Sequence, residues 1–179
     1  IFSSLYFHLL DIEPGNFESK DRDFFFLSAG HYCPIWYAAL ARSGFIPLSE
    51  LSSLRKINSR LQGHPAPSHT HGIPGVELAS GSLGQGLSVA LGCALGLRLN
   101  RSAKKTYVFL GDGELDEGQI WEGAMSAAHH KADNLVAIVD RNNCQIDGPT
   151  DEVMNLNSLP DKWRSFNWNV IECDGNNIE

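Results

Sequence analysis

Unbroken apolar runs set the frame of this chain. Asp23 to Ala29 (D-F-F-F-L-S-A), Thr106 to Leu110 (T-Y-V-F-L) and Leu135 to Val139 (L-V-A-I-V) predict strands buried on both faces, and Asn169 to Cys173 (N-V-I-E-C) predicts a further one. Mixed runs between them predict helices over Ile1 to Leu10, Pro34 to Arg42 and Gly118 to Lys131, with another helix start at Ser49 before Glu50-Leu51. Leu87 to Leu99 is apolar almost all round and carries the small residues Gly92, Ala94 and Gly96. That pattern predicts a helix buried on most sides and tightly packed. Buried strands separated by helices imply a mostly parallel central sheet, hence a three-layer α/β/α fold. In such sheets the ligand sits beyond the carboxyl ends of the strands.

From Gly63 to Gly86 the chain is rich in Gly, Pro, His and Ser, with few apolar residues before Val76. So long a loop in a compact domain points to function. The 179 residues suffice for one domain, residues 1–179, with a real core. The first helix opens without a cap and the last strand and turn stop where an α/β unit would continue, so the domain is expected to be incomplete at both ends.

Composition narrows the function classes. With 42% hydrophobic and 20% charged residues the chain reads as globular, and a net charge of −7 with no basic run argues against nucleic acid or an anionic membrane as partner. No apolar stretch is long enough for a membrane span and no cleavable signal is visible, which makes the cytoplasm the expected location. Cys33, Cys93, Cys144 and Cys173 stand apart from one another and suggest neither a zinc site nor a disulfide framework.

Two strand ends carry the candidate chemistry. Gly111-Asp112-Gly113 follows one strand and Asp140-Arg141-Asn142-Asn143 follows the next, so a carboxylate and a side-chain carbonyl fall on one edge of the sheet. Mg²⁺ takes few protein oxygens and keeps room for phosphate oxygens, which makes this pair a candidate magnesium diphosphate site. A dinucleotide fingerprint would need glycine at position 116, where Asp116 stands. A Walker-type loop would need a lysine, and none occurs between Lys105 and Lys131. The acidic stretch after Gly111 suits a diphosphate only when a divalent cation bridges the charges.

Strand, Gly-Asp-Gly, helix, strand, Asn-Asn is the arrangement of thiamine-diphosphate enzymes. Around it Ser28-Ala29-Gly30-His31, Gly63-His64-Pro65, Gly81-Ser82-Leu83-Gly84-Gln85-Gly86 and Gln145-Ile146-Asp147-Gly148 resemble the transketolase family in the same order. Gly111-Asp112-Gly113-Glu114-Leu115-Asp116-Glu117-Gly118-Gln119 is most similar to the N-terminal, diphosphate-binding subunit of two-gene transketolases. The resemblance implies thiamine diphosphate and Mg²⁺, or Ca²⁺ or Mn²⁺ in its place, with Asp112, Asn142 and the backbone carbonyl of Cys144 as metal ligands. It implies that Gly113 and Glu114 lie at the diphosphate and that Gly81 and Leu83 hold the aminopyrimidine ring through backbone groups. Ser82 replaces the proline many members carry, a mild departure where contacts are main-chain.

His31 and His64 match two active-site histidines of that family, the first near diphosphate and thiazolium, the second near the reacting carbon. An imidazole there can donate or accept a proton near neutral pH. Glu117 matches a glutamate that communicates with the cofactor-activating glutamate of the partner subunit, although a carboxylate at a helix start also has an electrostatic reason to be there. His69, His71, His129 and His130 match nothing of this kind. The implied reaction is transfer of a two-carbon ketol unit between sugar phosphates. A C-terminal subunit or domain would bring the pyrimidine-binding site, in a homodimer or heterotetramer, and the chain alone would not turn over. Deoxyxylulose-phosphate synthase, a 2-oxo acid dehydrogenase subunit, a nicotinamide-dependent dehydrogenase and a non-catalytic remnant are the competing readings.

Overall fold

The computed structural model describes residues 1–67 and 72–177. Three strands, β1 (Phe24–Leu27), β2 (Thr106–Gly111) and β3 (Leu135–Asp140), form a parallel sheet in the order β1-β2-β3. Phe24 lies opposite Thr106 and Thr106 opposite Leu135, a register that ends with Gly111 beside Asp140. Both candidate turns therefore leave the same edge of the sheet, as the alternation of strands and helices predicted.

Side chains alternate across the strands, so successive residues feed two different cores. Tyr107 and Phe109 join Phe25 and Leu27 on one face, under the N-terminal helical turns α1 (Phe2–Ser4) and Leu5–Leu9 and under α2 (Cys33–Arg42). Val108 and Leu110 join Phe26 on the other face, under α3 (Gln85–Leu99) and α4 (Gly118–His129). Every residue of β2 is buried, as its unbroken apolar run requires. The result is the expected three-layer α/β/α arrangement.

A two-stranded hairpin of β4 (Cys144–Gln145) and β5 (Gly148–Pro149) follows β3, and α5 (Thr150–Val153) and α6 (Leu159–Ser165) come after it. Among the described residues of this stretch, 63–67 and 72–84 carry no helix or strand apart from a bridge between Pro67 and Ile73, and α3 begins at Gln85; His69 and His71 lie outside the described residues. Arg22, buried over the Phe24 ring, fastens this loop to the sheet through an ion pair of 2.5 Å with Glu77. No helix among the described residues is long and apolar enough to cross a membrane.

Three expectations need correction. Asn169–Cys173 is not a strand. Trp168 donates its indole N–H to the Ala124 carbonyl and Glu172 pairs with Arg164 at 3.1 Å, so the segment is drawn toward α4 and α6 rather than onto β3. Only Val170 of its apolar residues packs on the core, Ile171 is 82% exposed, and a cleft of about 550 Å³ separates the segment from β3. Second, α3 is buried along one face only, through Leu87, Ala90, Leu91, Ala94 and Leu97, while Gly92 and Gly96 look onto open space. Third, the helix expected from Ser49 is a short 3-10 helix, Leu48–Ser53, set by Pro47 immediately before it.

Candidate functional site

Asp112 stands at the end of β2 and caps the 3-10 turn Gly113–Asp116. Its carboxylate is buried and accepts the Gly113 N–H on Oδ1 at 2.9 Å and the Asn143 N–H on Oδ2 at 2.7 Å. The Asp112 N–H donates in turn to the Asp140 carbonyl at 3.1 Å. The two strand ends are thus tied by a carboxylate and a backbone bond. Asn143 is left-handed, with φ of +60°, and serves as the turn residue while Asn142 presents its side chain.

Asn142 is held from both ends of its amide. Nδ2 donates to Tyr32 Oη at 2.8 Å and to Asp140 Oδ2 at 3.1 Å, and Oδ1 accepts the Cys144 N–H at 2.9 Å. Tyr32 itself donates to Asp140 Oδ2 at 2.9 Å. Burial first, then the bond to Asp140 and its charge, push the Tyr32 phenol well above its ordinary pKa, so it stays a donor. Asp112, Asn142 and the Cys144 backbone therefore lie on consecutive turns of one edge.

Among the described residues no three His, Cys, Asp or Glu side chains gather as a metal cage. A single carboxylate, one amide and a backbone carbonyl would make a sparse oxygen set, of the kind that leaves a hard cation dependent on phosphate and water for its other ligands. The residues present fit a magnesium diphosphate. Gly113 has a packing reason as well: an added Cβ would stand 2.9 Å from Gln145 Cβ. Gln145 Nε2 is buried there with no partner among the described residues, an open donor beside the turn.

Glu114, expected among the cofactor-binding residues, turns its carboxylate into the protein. Oε1 accepts the Ser28 hydroxyl and the Gly84 N–H, the latter at 2.7 Å, and Oε2 accepts the Gly111 N–H at 3.2 Å. Burial raises its pKa, and these hydrogen bonds pull the other way. Gly84 is left-handed (φ +83°), and an added Cβ would come within 2.8 Å of Glu117 Cβ. Glu117 itself is exposed at the start of α4. The Leu83 carbonyl accepts from Gln119 Nε2 at 3.2 Å, which pins the middle of the Gly81–Gly86 segment to α4.

The histidine turns meet this segment from two sides. Gly30, beside His31, packs so closely that a Cβ would stand 2.9 Å from the Ser80 carbonyl carbon and 3.0 Å from the Gly81 nitrogen. On the other side a Cβ at Gly81 would stand 3.4 Å from the His64 ring. Both histidines are exposed, and the His31 ring lies 4.7 Å from that of Tyr32. Behind them the Cys33 thiol donates to the Gly63 carbonyl at 3.0 Å and the Tyr37 hydroxyl to the Gln62 carbonyl at 2.9 Å, anchoring the loop that carries His64. The rings of His129 and His130 meet edge to face at the far end of α4.

Sequence reading missed Tyr32, Asp140, Ser28 and Cys33 as supports of the site. Asp140 left a signal by lying on the same strand end as Asn142, and Ser28 by opening the Ser28-Ala29-Gly30-His31 motif; Tyr32 and Cys33 act across the fold.

The whole chain, residues 1–179, matches the family described as transketolase, thiamine diphosphate binding domain. It is 42% identical over its full length to an apulose-4-phosphate transketolase subunit of Phocaeicola vulgatus, covering 62% of that protein. It is 43% identical to the 6-deoxy-6-sulfo-D-fructose transketolase subunit SqwG of a Clostridium species, covering 64% of it. A solved transketolase from Leishmania mexicana superposes over 92% of this chain and 26% of its own with a TM-score of 0.81 and 31% identity. The chain thus spans a little under two thirds of the subunits it resembles. With a match over all 179 residues and the fold shared with solved members, the chain belongs to the transketolase family as its N-terminal, thiamine-diphosphate-binding domain.

Proposed function

We propose that this chain supplies the diphosphate-binding half of a transketolase active site and takes part in moving a two-carbon ketol unit from a ketose phosphate to an aldose phosphate. The observation that carries the reading is the join between Asp112 and the Asn142–Cys144 turn, closed by the Asn143 N–H on Asp112 Oδ2 at 2.7 Å. In this reading Asp112, Asn142 and the Cys144 carbonyl would hold Mg²⁺, or Ca²⁺ or Mn²⁺ in its place, which would offset the charge of the diphosphate. Thiamine diphosphate, when bound, supplies the nucleophilic carbon and the electron sink for C–C cleavage. The protein's share is orientation and proton movement. Gly81 and Leu83 steady the aminopyrimidine ring from the backbone, and exposed His31 and His64, which flank the Gly81 segment, exchange protons with substrate oxygens.

The other half of the site comes from a pyrimidine-binding subunit or domain, so activity of this chain requires that partner, in a homodimer or heterotetramer. Relatives named as transketolase subunits support an assembly from more than one kind of chain. The open Gly92–Gly96 side of α3 and exposed Glu117 offer surface for it. The named relatives act on a sugar phosphate and on a sulfo-sugar, which supports a ketose with an anionic terminus as the substrate class.

Calorimetric titration of thiamine diphosphate into the chain assembled with a C-terminal transketolase subunit tests this. Binding is expected only with Mg²⁺ and is expected to be lost in Asp112→Asn. Binding that ignores the metal, or survives the substitution unchanged, would overturn the metal assignment.

A further inference from the structure

Glu114 is 2% exposed, yet among the described residues no Lys or Arg forms an ion pair with it. A buried carboxylate without a cation costs stability unless neutral donors satisfy it, and an apolar side chain would avoid the cost altogether. What the carboxylate gains is three partners from three separate stretches of chain: the Ser28 hydroxyl just past β1, the Gly84 N–H ahead of α3, and the Gly111 N–H at the end of β2. Ser28 Oγ extends the reach by accepting the Gly86 N–H at 3.0 Å. Gly84 and Gly86 stand at the start of α3, where backbone N–H groups have no partner within the helix. Glu114, 30 residues from Gly84, and Ser28, 58 residues from Gly86, therefore cap α3 together from two separate segments. The approach is close enough that a Cβ at Gly86 would overlap Ser28.

We propose that Glu114 is a positioning residue: its carboxylate locks the Gly81–Gly84 segment against the Asp112 turn and so sets the distance between the ring-holding and diphosphate-holding halves of the site. It does this through Ser28, Gly84 and Gly111, and touches neither metal nor cofactor. The inference rests on the cofactor reading above and goes beyond it, because it separates a residue that aligns two subsites from those that fill either one. Glutamine in its place keeps the shape but turns an amide donor toward N–H groups that need an acceptor, which loosens one strut without emptying the core.

The test uses two probes with Mg²⁺ on the assembled protein, thiamine diphosphate and inorganic pyrophosphate, the second lacking the ring. Glu114→Gln is expected to raise the dissociation constant for thiamine diphosphate about tenfold while leaving that for pyrophosphate within about twofold, the loss expected when a buried donor goes unsatisfied at one subsite only. Ser28→Ala, which keeps the carboxylate and removes one strut, is expected to show the same selectivity at smaller size, and it stands in if the glutamine variant does not fold. Equal weakening of both probes would overturn the proposal and place Glu114 in the metal turn or in general stability. No change for either probe would overturn it as well. Wild-type protein that binds neither probe in a metal-dependent way would instead remove the cofactor reading on which the inference stands.

Discussion

Asn142 shows how an amide is aimed. Tyr32 and Asp140 take its Nδ2 hydrogens, so Oδ1 is directed to the Cys144 side of the turn, where the metal is proposed to sit. Groups that orient a ligand typically change metal affinity by about 10–100-fold when removed. Tyr32→Phe is therefore expected to weaken Mn²⁺ binding, read by electron paramagnetic resonance, about tenfold, with the thermal midpoint nearly unchanged because the ring stays against Phe109. The placement of Asp112 and Asn142 on one edge of the sheet was legible in the sequence because their turns follow two readable strands. Tyr32 was not: its contact with Asp140 spans 108 residues, and no local pattern encodes it. Glu114 was expected at the diphosphate; the direction of its carboxylate, into the protein, follows from where Ser28 and Gly84 fall in space.

At the level of elements, the strands and long helices followed from apolar runs because burial on both faces leaves β2 no alternative. Asn169–Cys173 misled for a physical reason: a β-branched run becomes a strand only when backbone partners reach it, and Trp168 and the Arg164–Glu172 pair hold it elsewhere. The one-sided burial of α3 was equally hidden, since an all-apolar helix does not say which neighbour covers which side. Leu87 points into the core, and Leu87→Ala is expected to cost about 2–5 kcal/mol in denaturant unfolding. The 3-10 helix Leu48–Ser53 is tied to the loop before His64 by Glu50, whose carboxylate receives both Nε and Nη2 of Arg60 at 2.6 and 2.8 Å. That hydrogen bonding holds the Glu50 pKa below its ordinary value. A lowered folded pKa means stability present at neutral pH and lost as pH falls through that value. The pair is partly exposed, so Glu50→Gln should cost under about 1 kcal/mol at pH 7, and the gap from wild type should close in acid.

Across the whole molecule, the sheet brings every proposed ligand to one edge, and both histidine turns pack on the Gly81 segment beside it. The family and the three-layer fold could be read from ordered motifs; the substrate's terminal group and the assembly could not, because their contacts belong to surfaces that a sequence pattern does not mark. The proposed function depends above all on one divalent cation between the Asp112 and Asn142 turns, carrying the diphosphate. Anomalous diffraction from crystals of the assembled protein grown with Mn²⁺ and thiamine diphosphate would locate that cation. A single strong Mn²⁺ peak is expected, bonded to an Asp112 carboxylate oxygen, Asn142 Oδ1 and the Cys144 carbonyl, with diphosphate oxygens completing the shell. A peak elsewhere, or cofactor bound with no metal at that turn, would contradict the assignment.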